Sequence, residues 1–414
     1  MNKKNIFLWA LYDFANSISL IVFFVYFSEW LVVDNKVEDI WYNLIFVGSS
    51  ILLIFTAPIL AAIADKNGQR MLFLQVLTVL QFITFLAASL LALFLPNSIQ
   101  VAFWSGLAFL LAVYFYQFSF VFYNPILNSI APPRLQGFIS GLGQFANWSG
   151  QIFGILITLP LVTGAIFLIG NPGRAQTFLP ATVLFFLLSL PMLFLFKEQG
   201  KTRQIKVDLV AEYKSAVRSF IDLCKLPGMG KFLLGYFFFN DAMLTAVNNF
   251  PIYLERVFKI SDQTKSMLLL GILITSAIGG LVTGWIADKV GLQKMLMAIL
   301  ACWVVLFPLT ALMTNFTYFA LLTISIGFLY GATWTVTRAV MVSLSPVNRL
   351  NHAFSYYAMF ERFSTLVGPL SWGLIILLLA DTGDFRYRVA FGSMAVFVII
   401  GLLIVRSIPA HTRE

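Results

Sequence analysis

The sequence predicts an all-helical membrane protein of about twelve transmembrane helices, arranged as two pseudo-symmetric six-helix bundles. Three observations carry that expectation. Apolar runs recur from end to end of a 414-residue chain that is 60% hydrophobic and only 11% charged. Each run is long enough to cross a hydrocarbon core of about 30 Å as a helix. The runs are continuously apolar rather than alternating, which disfavours a β-barrel, and in lipid a helix satisfies its own backbone. Third, short motifs in the first half return in the second.

The spans follow in order from breaks in hydropathy. The first covers 5–33, behind the basic start MNKKNIF; no small-residue cleavage site follows it, so it reads as a retained helix. Spans 40–64 and 71–95 flank the loop IADKNGQR. Spans 100–127 and 137–169 flank the proline pair of NSIAPPRLQG, and 176–196 closes the first half. The second half has 230–258, 264–287, 294–314, 317–343, 350–380 and 387–408. The domain expectation is a bundle over 1–196, a cytoplasmic linker over 197–229 and a bundle over 230–414. Within the linker, Val210, Tyr213, Val217, Phe220 and Cys224 recur at helical spacing, with Glu212, Lys214, Arg218 and Asp222 opposite. That pattern is an amphipathic helix on the membrane surface.

Basic residues orient the chain. The N-terminus, the even-to-odd loops and the C-terminus hold 18 of the 27, which places both termini in the cytoplasm. The same rule accounts for the net charge of +9 without nucleic acid, for which no folded soluble domain exists. Cys224 and Cys302 are far apart, and His352 and His411 have no partners at ligand spacing, so no metal and no cofactor are expected. No phosphate-binding glycine loop with lysine is present. An integral membrane enzyme and a non-transporting scaffold are therefore the weaker classes.

The halves repeat. IADKNGQR (63–70) returns as IADKVGLQK (286–294), with Asp65 and Asp288 offset by 223. Pro132 and Pro346 are 214 apart, as are Gly154 and Gly368. Parallel repeats of this kind place a substrate site near the midplane. The two loops resemble the signature loop of the major facilitator superfamily, in which the residues here would be Asp65, Lys66, Gly68 and Arg70, and Asp288, Lys289, Gly291 and Lys294. The resemblance implies that these loops latch helix ends during alternating access. ALYDFANS (10–17), YNPILNSIAPPRLQGFISGLGQFANWSGQIFG (123–154), TRAVMVSLSP (337–346) and YYAMFERFSTLVGPL (356–370) are similar to the vacuolar-effluxer-like branch, whose yeast relatives release amino acids from the vacuole. This implies a secondary transporter in a bacterial cytoplasmic (inner) membrane, a monomer surrounded by lipid.

Ionisable groups inside a bilayer are costly and mark function by default. Asp13 stands in the first span and Asp241 in the seventh, at an offset of 228; Asn16 and Asn240 are also near-equivalent. Both carboxylates are expected to face a wet cavity and bind substrate or a coupling proton; the alternative is a structural bond to a neighbouring helix. Arg338 and Glu361 map by the 214 offset onto Asn124 and Asn147. The pattern predicts an Arg338–Glu361 pair and an Asn124–Asn147 pair, leaving Arg362 for an anion. Polar stripes, Gln144, Asn147 and Gln151 on the fifth span and Asp241, Thr245 and Asn248 on the seventh, line the cavity or join helices. Gln117 is the polar group of the fourth span, and Trp334 lies one turn from Arg338. The substrate class these groups suit is a small organic solute, a neutral amino acid with its carboxylate on arginine and its ammonium on aspartate. The rival is an amphipathic drug or metabolite exported against protons.

Overall fold

The computed structural model describes residues 3–130, 136–196, 214, 218, 221–345, 357, 360, 361 and 363–408, with backbone alone at 58–59, 62, 65–67, 128, 136–138, 140 and 288. Twelve helices organise these residues. In the first half they are α1 (Lys3–Val22), α2 (Asp39–Asn67), α3 (Arg70–Phe94), α4 (Ile99–Ile130), α5 (Gln136–Val162) and α6 (Ala175–Leu195). In the second they are α7 (Met229–Tyr253), α8 (Asp262–Val290), α9 (Leu292–Leu312), α10 (Phe316–Leu344), α11 (Val367–Leu378) and α12 (Phe385–Arg406). Ten of them are long and apolar enough to cross a membrane. The other two are α7, which carries Asn240, Asp241, Asn248 and Asn249 along its 25 residues, and α11, whose described part is 12 residues. The amphipathic linker helix lies largely outside the described residues.

The chain divides into two compact units, Met1–Ser215 and Ala216–Glu414. In the first, α1 packs on α5 and α6, α3 on α4 and α6, and α2 on α4. In the second, α7 packs on α11 and α12, α9 on α10 and α12, and α8 on α10. Adding six to each helix number converts one set of neighbours into the other.

Each unit has an aromatic core near the far end of its first helix. Phe23, Phe27 and Trp30 gather with Phe85, Phe109 and Phe178 in the first unit. Tyr253, Phe250, Phe319 and Phe391 do so in the second. In both units the first helix widens into π-helical turns there, Phe23–Phe27 and Trp30–Asp34 continuing α1, and Leu254–Phe258 continuing α7. Such turns shift the helical register by one residue, which re-aims the side chains beyond them.

Close approaches need glycine at a few positions. A Cβ at Gly150 of α5 would strike the Phe14 carbonyl of α1, and one at Gly331 of α10 would strike the Ser276 carbonyl of α8. Thr275 and Ser276 add hydroxyl bonds across the second contact, to the carbonyls of Ile324 at 2.6 Å and Gly327 at 2.8 Å. Small residues and hydroxyls are how helices associate where lipid removes the hydrophobic drive. The motif glycines turn the chain sharply: Gly68 has φ +62° between α2 and α3, and Gly291 has φ +101° between α8 and α9.

Two spans differ from expectation. The fifth ends as a helix at Val162, not at 169; residues 163–173 form a tied loop whose glycines Gly164, Gly170 and Gly173 all have positive φ. The eleventh is interrupted: 360, 361 and 363 are helical, 364–366 are not, and α11 starts at Val367.

Candidate substrate site in each bundle

In the first unit the site grows from α1. Asp13 is buried at 8% exposure, midway along that helix. Its Oδ1 accepts a hydrogen bond from Asn147 Nδ2 of α5 at 2.9 Å. Asn147 Oδ1 in turn accepts from Gln151 Nε2 at 2.7 Å, one turn further along α5. Asn147 and Gln151 are half-buried, so the chain of amides runs from a buried carboxylate toward a more open face. The expected Asn124–Asn147 bond is absent: the Asn124 side chain is exposed on α4, and the carboxylate, the stronger acceptor, takes the Asn147 amide.

Aromatic groups wall the other side of Asp13. Trp9 stacks on Tyr123 of α4 at 5.0 Å with an interplanar angle of 2°, and Tyr12 stacks on the same ring at 5.1 Å. The Tyr123 hydroxyl donates to the Trp9 carbonyl at 2.8 Å, beside the Asp13 carboxyl. Tyr12 shares a hydroxyl bond of 2.8 Å with Thr78 of α3; Thr78 gives its own proton to the Leu74 carbonyl, so Tyr12 is the donor. Asn16 is fully buried, donating to the Tyr12 carbonyl at 2.9 Å and accepting from Gln81 at 3.0 Å. Gln117 is buried and donates to Ser49 of α2 at 3.3 Å. Gln144 is half-buried on α5. Trp9, Tyr12 and Tyr123 escaped the sequence reading, although Trp9 and Tyr12 sit within one turn of Asp13. In a chain with 43 phenylalanines, aromatic residues carry little positional signal.

In the second unit Asp241 is fully buried. Its Oδ2 accepts from the backbone amides of Val367 at 3.1 Å and Gly368 at 2.7 Å, the first residues of α11. The carboxylate thus caps a helix that begins inside the span, satisfying orphan amides and meeting the positive end of the helix dipole. A Cβ at Gly368 would lie 2.7 Å from Asp241 Oδ1 and against the Thr245 hydroxyl, so glycine is what admits the carboxylate. This is a structural bond to a neighbouring helix, the alternative to a cavity-facing group.

Nearby, Tyr236 of α7 stacks on Tyr357 at 4.5 Å and 16°. Both rings are buried, and the two hydroxyls interact with each other. The charges of Glu361 and Arg338 both reach this pair of phenols. Asn240, buried, donates to the Glu361 carbonyl at 3.3 Å. Trp334 meets Tyr330 edge-on at 6.1 Å, and Asn248 is buried on α7. Arg362 lies outside the described residues, as do the side chains of Asp65, Lys66 and Asp288 in the motif loops. Of the other loop residues, Lys289 places its ammonium 3.4 Å from the centre of the Trp285 ring, a cation–π contact. Arg70 is half-buried in the first turn of α3, and Lys294 lies in the first turn of α9.

Two further ionic groups were not singled out in the sequence. At the far end of α1, Glu29 is fully buried and meets Arg174 Nε at 3.0 Å; Arg174 Nη1 meets Asp34 at 2.5 Å. Beyond α7, Lys265 is 1% exposed and bridges Glu255 at 2.5 Å and Asp262 at 2.6 Å. Glu29 lies within an apolar span, and its offset to Glu255 is 226, so the repeat already pointed to the pair.

Residues 232–414 match the family model of the Major Facilitator Superfamily. An uncharacterised MFS-type transporter of Bacillus subtilis (strain 168), YxiO, is 22% identical over 423 residues, covering 98% of this chain and 94% of the relative. Among solved structures, a bacterial homologue of the human lysosomal transporter Spinster superposes with a TM-score of 0.74 at 15% identity, covering 99% and 98% of the two chains. The nucleoside transporter NupG gives 0.71 at 14% identity, covering 99% of each chain. A D-xylose-proton symporter gives 0.69 at 14%, covering 98% and 97%. These likenesses establish the major facilitator fold.

Proposed function

We propose that this chain, a transporter of the Major Facilitator Superfamily, moves a small zwitterionic solute, a neutral amino acid, across the bacterial cytoplasmic membrane by alternating access, with protons as the coupling ion and both termini cytoplasmic. The observation that carries the reading is in the second unit. An acid, Glu361, and a cation, Arg338, lie beside the same buried tyrosine pair, with Asn240 of α7 bonded to the Glu361 carbonyl. A zwitterion needs those complements a few ångströms apart, and charge-assisted bonds to each end would fix its orientation. Glu361 thereby replaces Asp241 as the group for the ammonium, because Asp241 is committed to α11. In the first unit Asp13, tied to half-buried amides, is the proposed proton carrier. The similarity to vacuolar amino-acid effluxers supports the same substrate class.

A second reading has its own observation. The Trp9–Tyr123 stack beside the Asn147–Gln151 amides suits a neutral polyhydroxylated solute, and NupG and the D-xylose-proton symporter are by name transporters of such solutes.

Thermal unfolding of the purified protein with graded amino acids, nucleosides and pentoses separates the two. A ligand at a hundred times its dissociation constant adds about 2.7 kcal/mol of apparent stability. Neutral amino acids are expected to raise the midpoint, and Glu361→Gln or Arg338→Gln to weaken binding by about 1.5–3 kcal/mol each. A response to nucleosides or pentoses alone, unchanged in both variants, would overturn the zwitterion reading in favour of the second. A response to amphipathic cations alone would favour drug export.

A further inference from the structure

The connection between α5 and α6 is built inside out relative to a loop in water. Its polar backbone is turned inward and tied. Gln176, 1% exposed in the first turn of α6, accepts from the Leu168 amide at 2.9 Å and donates to the carbonyls of Ile169 at 2.7 Å and Asn171 at 2.6 Å. Asn171 donates through its side chain to the carbonyls of Ala92 at 3.0 Å and Leu95 at 2.5 Å, and through its backbone to Leu93 at 2.7 Å. The Ile166 amide reaches the Pro160 carbonyl at 2.9 Å. Gly170 presses against the Leu93 carbonyl, where a Cβ has no room. The loop is thereby locked to the end of α3.

Its apolar side chains point the other way. Ile166, Phe167, Leu168 and Ile169 are 50%, 60%, 49% and 48% exposed, four in succession. They continue an exposed apolar belt formed by Phe94 and Leu95 at the end of α3 and by Ile99, Phe103 and Trp104 at the start of α4. Helix alternation puts this belt on the face opposite Lys3. Arg174, bonded to Glu29 and Asp34, follows directly.

We infer that residues 166–169 are a membrane-interface anchor, seated among the lipid acyl chains of the leaflet opposite the N-terminus. Irregular backbone enters apolar surroundings when its polar groups are met within the protein, and Gln176 takes up the Leu168 amide and the Ile169 and Asn171 carbonyls of this loop. A contiguous apolar tip of this size in water would be an association site; joined to the lipid-facing surface of α3 and α4, it extends that surface into the interface. Trp104 fits the aromatic belt found at that depth.

Spin labels test the placement in proteoliposomes. Phe167→Cys and Ile169→Cys are labelled separately in a chain carrying Cys224→Ser and Cys302→Ala, with Leu156→Cys on α5 as lipid reference and Glu38→Cys as water reference. Collision with dissolved oxygen is expected to exceed collision with a water-soluble nickel chelate at both loop positions, as at Leu156. Collision dominated by the chelate, as at Glu38, would overturn the anchor. Screening from both reagents would also overturn it, since the occupant would then be protein, a second copy included.

Discussion

Asp13 and Asp241 occupy equivalent helices and hold different partners. Asp13 meets an amide that can rotate away, whereas Asp241 meets two backbone amides that cannot. Asp241→Ala should lower the stability of the purified protein by about 1–2 kcal/mol, the usual cost of losing a cap. Asp241→Asn should recover most of it, because one amide oxygen still accepts. Equal midpoints for the two variants in thermal unfolding would show that the cap contributes nothing. For the proposed Arg338–Glu361 pair, Glu361→Ala should cost of the order of 3 kcal/mol, the lower end for a buried pair since Glu361 is half-buried. Arg338→Asn combined with Glu361→Asn copies the first half and should restore much of the loss; a double variant no better than either single one would refute the pairing. A carboxylate in an apolar run was legible in the sequence. Its partner was not, because backbone amides at a helix start have no residue type to betray them. Likewise Asn147 found Asp13 rather than Asn124, a choice between two acceptors that spacing alone does not rank.

At the scale of elements, the apolar runs located the helices because span length is set by bilayer thickness. The fifth overran because AIFLIG is as apolar as a span; the positive-φ glycines that end the helix differ from ordinary ones only in backbone angle. The π-helical turns are likewise invisible to a 3.6-residue period. Helix contacts make a sharper forecast. Gly150→Leu should loosen α1 from α5, and Gly331→Leu should loosen α8 from α10, each by at least the roughly 1–3 kcal/mol typical of overpacking, because backbone carbonyls block the new side chain. Gly141→Ala, also in α5 but with nothing within 4 Å of the new Cβ, should be neutral or stabilising by up to about 1 kcal/mol. Unfolding midpoints of the three variants give the comparison; a Gly141→Ala loss as large as that of Gly150→Leu would mean that helix propensity, not contact, sets the ranking.

Over the whole molecule, the duplication was legible in two motif loops and is realised as one set of neighbour relations used twice. The charge asymmetry forecasts the topology: Thr202→Cys, in the stretch between the halves, should resist an impermeant thiol reagent applied to intact cells and react once the membrane is opened. Prompt labelling from outside would invert the assignment. The neighbour pattern also distributes stiffness. In α8 and α10, glycines and hydroxyls hold two backbones in contact along an unbroken pair. In α7 and α11 the helical ladder is interrupted, by a π-helical turn in one and by residues 364–366 in the other. In mechanical terms the second unit is a girder beside two jointed struts. A load applied to it bends the struts, and Asp241 is the pin that ties one to the other.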